Sequence, residues 1–312
     1  MLAKALSYGL TGINGFQVQV EVNLSFGMPA FDVVGLPDAA VKESRERVRA
    51  ALKNSSMGFP DQRITVNLAP ADMKKEGPAF DLPIALAMLS CMGRFPVSAL
   101  DGTAIIGEVS LDGTVRGVRG ALPMVISALE DGVKRIMLPS ENLSEVRCVD
   151  GIDILCVSSI AQAAAHFAGT APIKPETAVK YEALISGRES QFDFKNVKGQ
   201  SGAKRALEIA AAGGHNILLI GPPGSGKTLM ARCMPSILPD MTFQEALEVT
   251  RIHSVAGLIP DTGLLSERPF RSPHHTASHA ALVGGGASAL PGEVSKAHNG
   301  VLFLCETLCT AN

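Results

Sequence analysis

Tryptophan is absent from this chain of 312 residues, and aromatics of all kinds reach only 4%. A protein that holds single strands chiefly by stacking bases on aromatic platforms needs more rings than that. No uninterrupted apolar run reaches the length of a membrane span, so a spanning helix is excluded. The amino-terminal MLAKALSYGLTG lacks the continuous apolar core of a secretory signal. The six cysteines (Cys91, Cys148, Cys156, Cys233, Cys305 and Cys309) form no C-x-x-C pair. They read as reduced thiols of a cytoplasmic protein, not as a disulfide or zinc framework. A strong charge of one sign is missing too. With a net charge of −2, any nucleic-acid contact must come from a local patch and not from the chain as a whole.

What remains is a globular composition, with 46% hydrophobic and 19% charged residues. The length suits about two domains. The stretch from Phe16 to Phe26 puts Val18, Val20, Val22 and Leu24 on one face and Gln17, Gln19, Glu21 and Asn23 on the other. That alternation predicts a half-buried strand. Ile64, Val66 and Leu68 repeat it. From Asp38 to Asn54, Val41, Ser44, Val48 and Ala51 form a helical stripe. Lys42, Arg45, Arg49 and Lys53 lie on its outer side, where a solvated face is commoner than a phosphate contact. Glu43 and Arg47 make an i,i+4 pair.

Further helices are expected over Leu82 to Met92 and Ala121 to Glu130, and strands over Arg135 to Leu138 and Asp153 to Val157. Ala104 to Val109 and Thr114 to Val118 flank Asp112-Gly113, a hairpin signal. Periodicity is lost from about Gly169 to Glu189, which reads as a linker. The expected organisation is therefore an α+β domain over 1–168, a linker over 169–190 and an α/β domain over 191–312.

The second half carries the strongest motif. Gly221, Pro222, Pro223, Gly224, Ser225, Gly226, Lys227 and Thr228 fill the phosphate-loop pattern G-x-x-x-x-G-K-[ST]. The apolar run Ile217 to Ile220 precedes it as an expected strand, and a helix is expected to follow. Glycines let backbone N–H groups turn toward phosphate oxygens. Lys227 then reaches the β- and γ-phosphates, and Thr228 offers its hydroxyl to Mg²⁺. ATP and Mg²⁺ are the cofactors this implies. Gly213-Gly214 reads as a helix stop and not as a second nucleotide fingerprint.

Two resemblances extend these readings. The run from Gly107 to Ile136, with Lys75 to Ile84, resembles the proteolytic domain of Lon. Such peptidases use a serine activated by a lysine. The matching positions here are Ala79 and Leu122, so the resemblance implies the fold without the peptidase chemistry. From Asp193 onward the chain resembles the magnesium-chelatase-like branch of the AAA+ ATPases. Arg268 to Gly286 and Pro291 to Leu304 carry that branch's own signature. Both halves together resemble the ComM (YifB) subfamily. The fold class implied is α/β, a Lon-like α+β domain followed by a P-loop AAA+ domain. The resemblance also implies that Val197, Gly199 and Gln200 lie near the adenine. It implies hexameric self-association, action on DNA in branch migration during natural transformation, and no membrane partner.

The family's Walker B strand ends in Asp-Glu, whereas Val301 to Leu304 is followed here by Cys305-Glu306. Glu306 keeps the place of the water-activating carboxylate. Cys305 stands where a magnesium-side Asp belongs, and a thiol is a poor partner for a hard cation. The run CETLCTAN departs from the family, which reads as truncation at Walker B. In the family strand order 5-1-4-3-2, Ile217 to Ile220 would then lack both neighbours. Sensor residues and an arginine finger would be missing, and ATP hydrolysis is expected to be weak or absent.

His274, His275 and His279 favour a structural or DNA-facing loop over a metal site, because adjacent histidines do not readily meet one ion. Arg268, Arg271 and Lys296 are candidates for a pore that meets phosphates, with surface roles at least as common. Arg232 reads as a helix-surface residue. Two other functions stay open: a non-hydrolysing interaction protein, and a magnesium-chelatase motor subunit. The Lon-like half speaks against the latter.

Overall fold

Alternation in the first thirty residues becomes the centre of a sheet. In the computed structural model, which describes residues 1–185, 192–260, 263–285 and 289–305 (side chains only to 183 before the first break), β1 (Leu2–Thr11) and β2 (Asn14–Ser25) form a long antiparallel hairpin. Val18, Val20, Val22 and Leu24 of β2 are all buried, as the period of two requires. Thereafter come β3 (Ala30–Val34), α1 (Ala39–Asn54), β4 (Arg63–Ala69), α2 (Asp81–Cys91), β5 (Thr103–Ile105), β6 (Glu108–Val109) and β7 (Val115–Arg116). The first half closes with α3 (Ala121–Glu130), β8 (Arg135–Pro139), α4 (Leu143–Val146), β9 (Asp153–Val157) and α5 (Ile160–Phe167). The seven-stranded sheet has the order β3-β4-β2-β1-β5-β8-β9. Only β1–β2 and β2–β4 are antiparallel; the other neighbours run parallel.

Two helices show how local sequence sets burial. In α1, Val41, Ser44, Val48 and Ala51 are buried, and Asp38 caps the start by accepting from the Val41 N–H at 2.7 Å. Every residue of α2 is buried, Asp81 and Ser90 included, so this helix has no solvent stripe to read. The core is shared between α2, the inner faces of β1, β2 and β4, and the buried sides of α1 and α5.

The expected run Ala104 to Val109 divides in two. Thr103–Ile105 is β5 of the main sheet, while Glu108–Val109 pairs with Val115–Arg116 in the Asp112-Gly113 hairpin. The break falls where Ile106 N–H donates to Met137 O and Gly107 N–H to Ala79 O, bonds that a continuous hairpin strand could not make.

The chain divides into two compact units, Met1–Val179 with Ser254–Gly263, and Lys180–His253 with Leu264–Asn312. Within the first, Gly120 N–H donates to Ser254 O. Glu176 N–H donates to Ile154 O and Val179 N–H to Arg147 O, so this part of the expected linker is hydrogen-bonded onto the first unit.

The second unit contains α6 (Tyr181–Ile185), α7 (Ser201–Gly213), α8 (Lys227–Cys233), α9 (Phe243–Val255), β10 (Phe270–Arg271) and α10 (His279–Val283). It continues with β11 (Gly284–Gly285), β12 (Leu290–Pro291), α11 (Glu293–Lys296) and β13 (Val301–Leu302). α9 crosses into the residues grouped with the first unit at Ser254. β10 and β13 run parallel, with Phe270 opposite Val301. Phe194, Val197, Leu207, Ala210, Met230 and Cys233 form the core of this unit. α7 stops at Gly213 with Gly214 as its cap, as the Gly-Gly pair predicts.

The strand expected over Ile217 to Ile220 does not form. Those residues adopt no regular element, and Leu218 and Ile220 are 80% and 88% exposed. A strand exists through its pairing, and among the described residues nothing pairs with this run.

Candidate nucleotide-binding site

Gly221 to Gly226 leave the apolar run as an irregular loop and α8 begins at Lys227. Gly224 and Gly226 have φ of +82° and +86°, backbone positions that a residue with a Cβ adopts only under strain. Gly226 also supplies the carbonyl that starts α8, accepting from the Met230 N–H at 2.9 Å. No side chain caps this helix. The backbone N–H groups of Gly224 and Gly226 donate to nothing among the described residues.

Lys227 folds back across the loop that holds it. Its Nζ donates to Gly221 O at 2.7 Å and to Pro222 O at 2.9 Å. Two carbonyls thereby tether the ammonium to the loop, and its third proton remains for an anion. Thr228 is exposed beside it. The Ser225 hydroxyl oxygen is buried with no hydrogen-bond partner among the described residues. An orphaned hydroxyl, two free N–H groups and a tethered ammonium form a donor set suited to phosphate oxygens.

The remaining expected site residues are placed as follows. Val197 is buried in the core of the second unit, and its carbonyl accepts from Lys204 Nζ at 3.0 Å. Gly199 and Gln200 have φ of +69° and +53°, forming the turn that enters α7. Cys305 is exposed. Glu306 lies outside the described residues, as do Gly286 and Cys309.

Other cations that the sequence offered to phosphates are engaged within the unit. Arg268 donates to Pro239 O, Asn299 O and Glu245, with 13% of its side chain exposed. Arg271 and Lys296 both hold Glu293, whose carboxyl lies below its ordinary value chiefly because Arg271 donates to it. These three are therefore structural ties, and the pore reading loses its free charges. His274 Nδ1 lies 2.7 Å from Thr276 Oγ1, and its ring sits 4.1 Å from that of His275. Arg232 is exposed on α8 with its guanidinium 5.4 Å from the Phe192 ring. A cleft of about 440 Å³ in this unit is lined by Phe192, Arg232, Phe270, Arg271, Ser272 and Glu293, none of them in the phosphate loop.

In the first unit the two positions matching a peptidase dyad carry no nucleophile and no base. Ala79 sits in a tight turn and Leu122 in the first turn of α3, both buried. Two buried carboxylates were not anticipated. Asp81, at the start of α2, accepts from Ser44 Oγ, Arg47 and the Val109 N–H. Burial pushes its carboxyl up, and these donors oppose the push. Glu145 accepts from Asn142 Nδ2 at 2.6 Å and Ser254 Oγ at 2.5 Å. The only sequence signal for Asp81 was a charge opening an otherwise apolar helix.

Comparison with known proteins follows these divisions. Residues 193–310 match the family described as magnesium chelatase, subunit ChlI, and residues 20–142 match subunit ChlI of Mg-chelatase. The protein YifB of Escherichia coli K12 is 44% identical over 95% of this chain and 57% of its own length. The competence protein ComM of Haemophilus influenzae is 40% identical over 98% of this chain and 60% of its own. Lon protease 2 of Bacillus subtilis is 29% identical over 49% of this chain and 30% of its own. The chain thus spans 60% or less of the length of these relatives.

Proposed function

Because this chain belongs to the ComM and YifB branch of the magnesium-chelatase-like AAA+ proteins, we propose that it binds ATP with Mg²⁺ in the loop Gly221–Thr228 and that its longer relatives use the same site to remodel DNA. The observation that carries the nucleotide reading is the tethered Lys227, held by Gly221 O and Pro222 O beside an exposed Thr228. Lys227, Ser225 and the free N–H groups would hold the phosphates, Thr228 would hold the magnesium, and Val197 with Gly199 would flank the base. The metal, when bound, neutralises charge on the phosphate oxygens. Branch migration of DNA, self-assembly into a hexamer and residence in the cytoplasm belong to the same proposal. They are supported by the relationship to a competence protein, and, for location, by the lack of any membrane-crossing helix among the described residues.

Binding of a fluorescent ATP analogue to this chain, with and without Mg²⁺, tests the reading. Lys227→Ala should abolish saturable binding; an unchanged affinity would overturn it. A second reading, a nucleotide-binding module that does not hydrolyse, is favoured by Cys305 following β13 and by the run Ile217 to Ile220, unpaired among the described residues. Phosphate release under single-turnover conditions tests this second reading, which measurable release by this chain would overturn.

A further inference from the structure

The exposed side of α1 concentrates positive charge in a chain that is slightly acidic. Lys42, Arg45, Arg47, Arg49 and Lys53 outnumber Glu43 and Glu46 on this one helix. Arg47 is drawn inward to Asp81 at 2.6 Å. The other four lie along one stripe at steps of three, four and four residues, or roughly 4.5–6 Å apart at the helical rise. All four are exposed. Glu46 pairs with Arg45 at 3.0 Å and Glu43 with Arg47 at 3.7 Å, both at the surface and therefore weak. Lys42 and Lys53 hold no ion pair or side-chain hydrogen bond among the described residues.

The middle of the stripe is built differently. Arg49 sets its guanidinium 5.6 Å from the centre of the Phe59 ring. Phe59 in turn lies 6.2 Å from Phe31 of β3, so the ring under Arg49 is itself backed by a second. Both rings are half-buried. A guanidinium laid against an aromatic ring keeps its outer face open, and that planar face stacks on nucleobases. Phosphate-seeking lysines on either side of a fixed stacking plane match the chemistry of a single nucleic-acid strand, which alternates charge with exposed π faces. Duplex DNA offers the charge but hides the bases.

We propose that the outer face of α1 binds one strand of nucleic acid, with Lys42, Arg45 and Lys53 on phosphates and Arg49 under a base. This rests on the DNA reading above and gives that reading a place in the first unit.

Anisotropy of a fluorescein-labelled oligothymidine strand, titrated with this chain at several KCl concentrations, tests it. The triple variant K42Q/R49Q/K53Q should bind about tenfold or more weakly, and its log–log salt slope should shrink by about 1.4, the share of two phosphate contacts on a single strand. K42R/K53R keeps the charge and should bind as wild type. If loss of Arg49 disturbs the fold, K42Q/K53Q leaves Phe59 covered and should still lower the slope by more than one. Wild-type binding with unchanged affinity and slope in all Gln variants would overturn this surface and leave the DNA reading standing. Failure of the wild-type chain to bind the strand at all would likewise overturn this surface, while the DNA reading stands or falls on the longer relatives.

Discussion

Arg47 places its Nε 2.6 Å from Oδ2 of Asp81, a carboxylate with no exposed surface, and closes a second bond from Nη2 to Oδ1 at 3.0 Å. The fork clamps α1 against the first turn of α2, and Ser44 and the Val109 N–H complete the carboxylate's donors. Such a pair costs much to bury and more to break, because the survivor is left charged without a partner. Arg47→Ala should therefore lower unfolding stability by about 3–5 kcal/mol, read from urea denaturation. Replacing both residues, as in R47M/D81L, should recover much of that loss, since no charge then remains inside.

Gly35 makes a sharper steric case. Its φ is +101°, and a Cβ there would lie 2.2 Å from the Leu68 carbonyl oxygen. The obstacle is backbone of β4 and cannot rotate away. Gly35→Ala should destabilise the first unit by roughly 3 kcal/mol or more, a size reserved for forced backbone shifts. A midpoint in urea within error of wild type would show that β3 and β4 can separate without cost.

The period of an element decided whether it could be read from the sequence. α1 was legible because Val41, Ser44, Val48 and Ala51 alternate with charge at helical spacing, and each of them is buried. β2 was legible for the same reason at a period of two. α2 showed length and apolarity but no face, because all eleven of its residues are inside. β1 and β3 passed unnoticed: Ala, Ser and Lys dilute the apolar pattern of β1, while β3 is an edge strand with only half-covered side chains.

Contacts between distant residues set the other limit. Glu43 was the visible partner of Arg47 at i,i+4, yet that contact is 3.7 Å at the surface while Asp81, 34 residues on, takes the guanidinium. The phosphate loop lay at the opposite extreme. Its donors fall within eight consecutive residues, so spacing alone located it. The strand ahead of it could not be judged that way, because pairing of Ile217 to Ile220 depends on segments elsewhere.

Thiol chemistry offers an independent check on burial. Burial pushes Cys148 up to about 11 and Cys156 up to about 12, so neither is a thiolate near neutrality. Cys305 is exposed. Iodoacetamide applied to the native chain at mildly alkaline pH should modify Cys305 and spare Cys148 and Cys156, with all three modified in urea. Mass spectrometry of the peptides reads the outcome. Native modification of Cys156 would mean that β9 opens readily.

Glu145 should leave a signature in the pH dependence of stability. Burial, the largest influence, raises its carboxyl above the ordinary value; bonds from Ser254, Asn142 and the Leu122 backbone pull the other way. Arg119 and Glu141 line the same cavity of about 210 Å³ as Glu145. Between the ordinary carboxylate value and the raised one, the folded chain holds a proton that the unfolded chain has released. Stability contributed by this group is therefore complete below the unfolded value and is lost as pH climbs through the folded value. Glu145→Gln fixes a neutral side chain of the same shape, and the Ser254 hydroxyl can turn to accept from the new amide. Chemical denaturation at a series of pH values from about 4 to 7 should show wild type losing ground to the variant as pH rises. Parallel curves would mean that Glu145 titrates alike in both states, and that its buried partners compensate its desolvation in full.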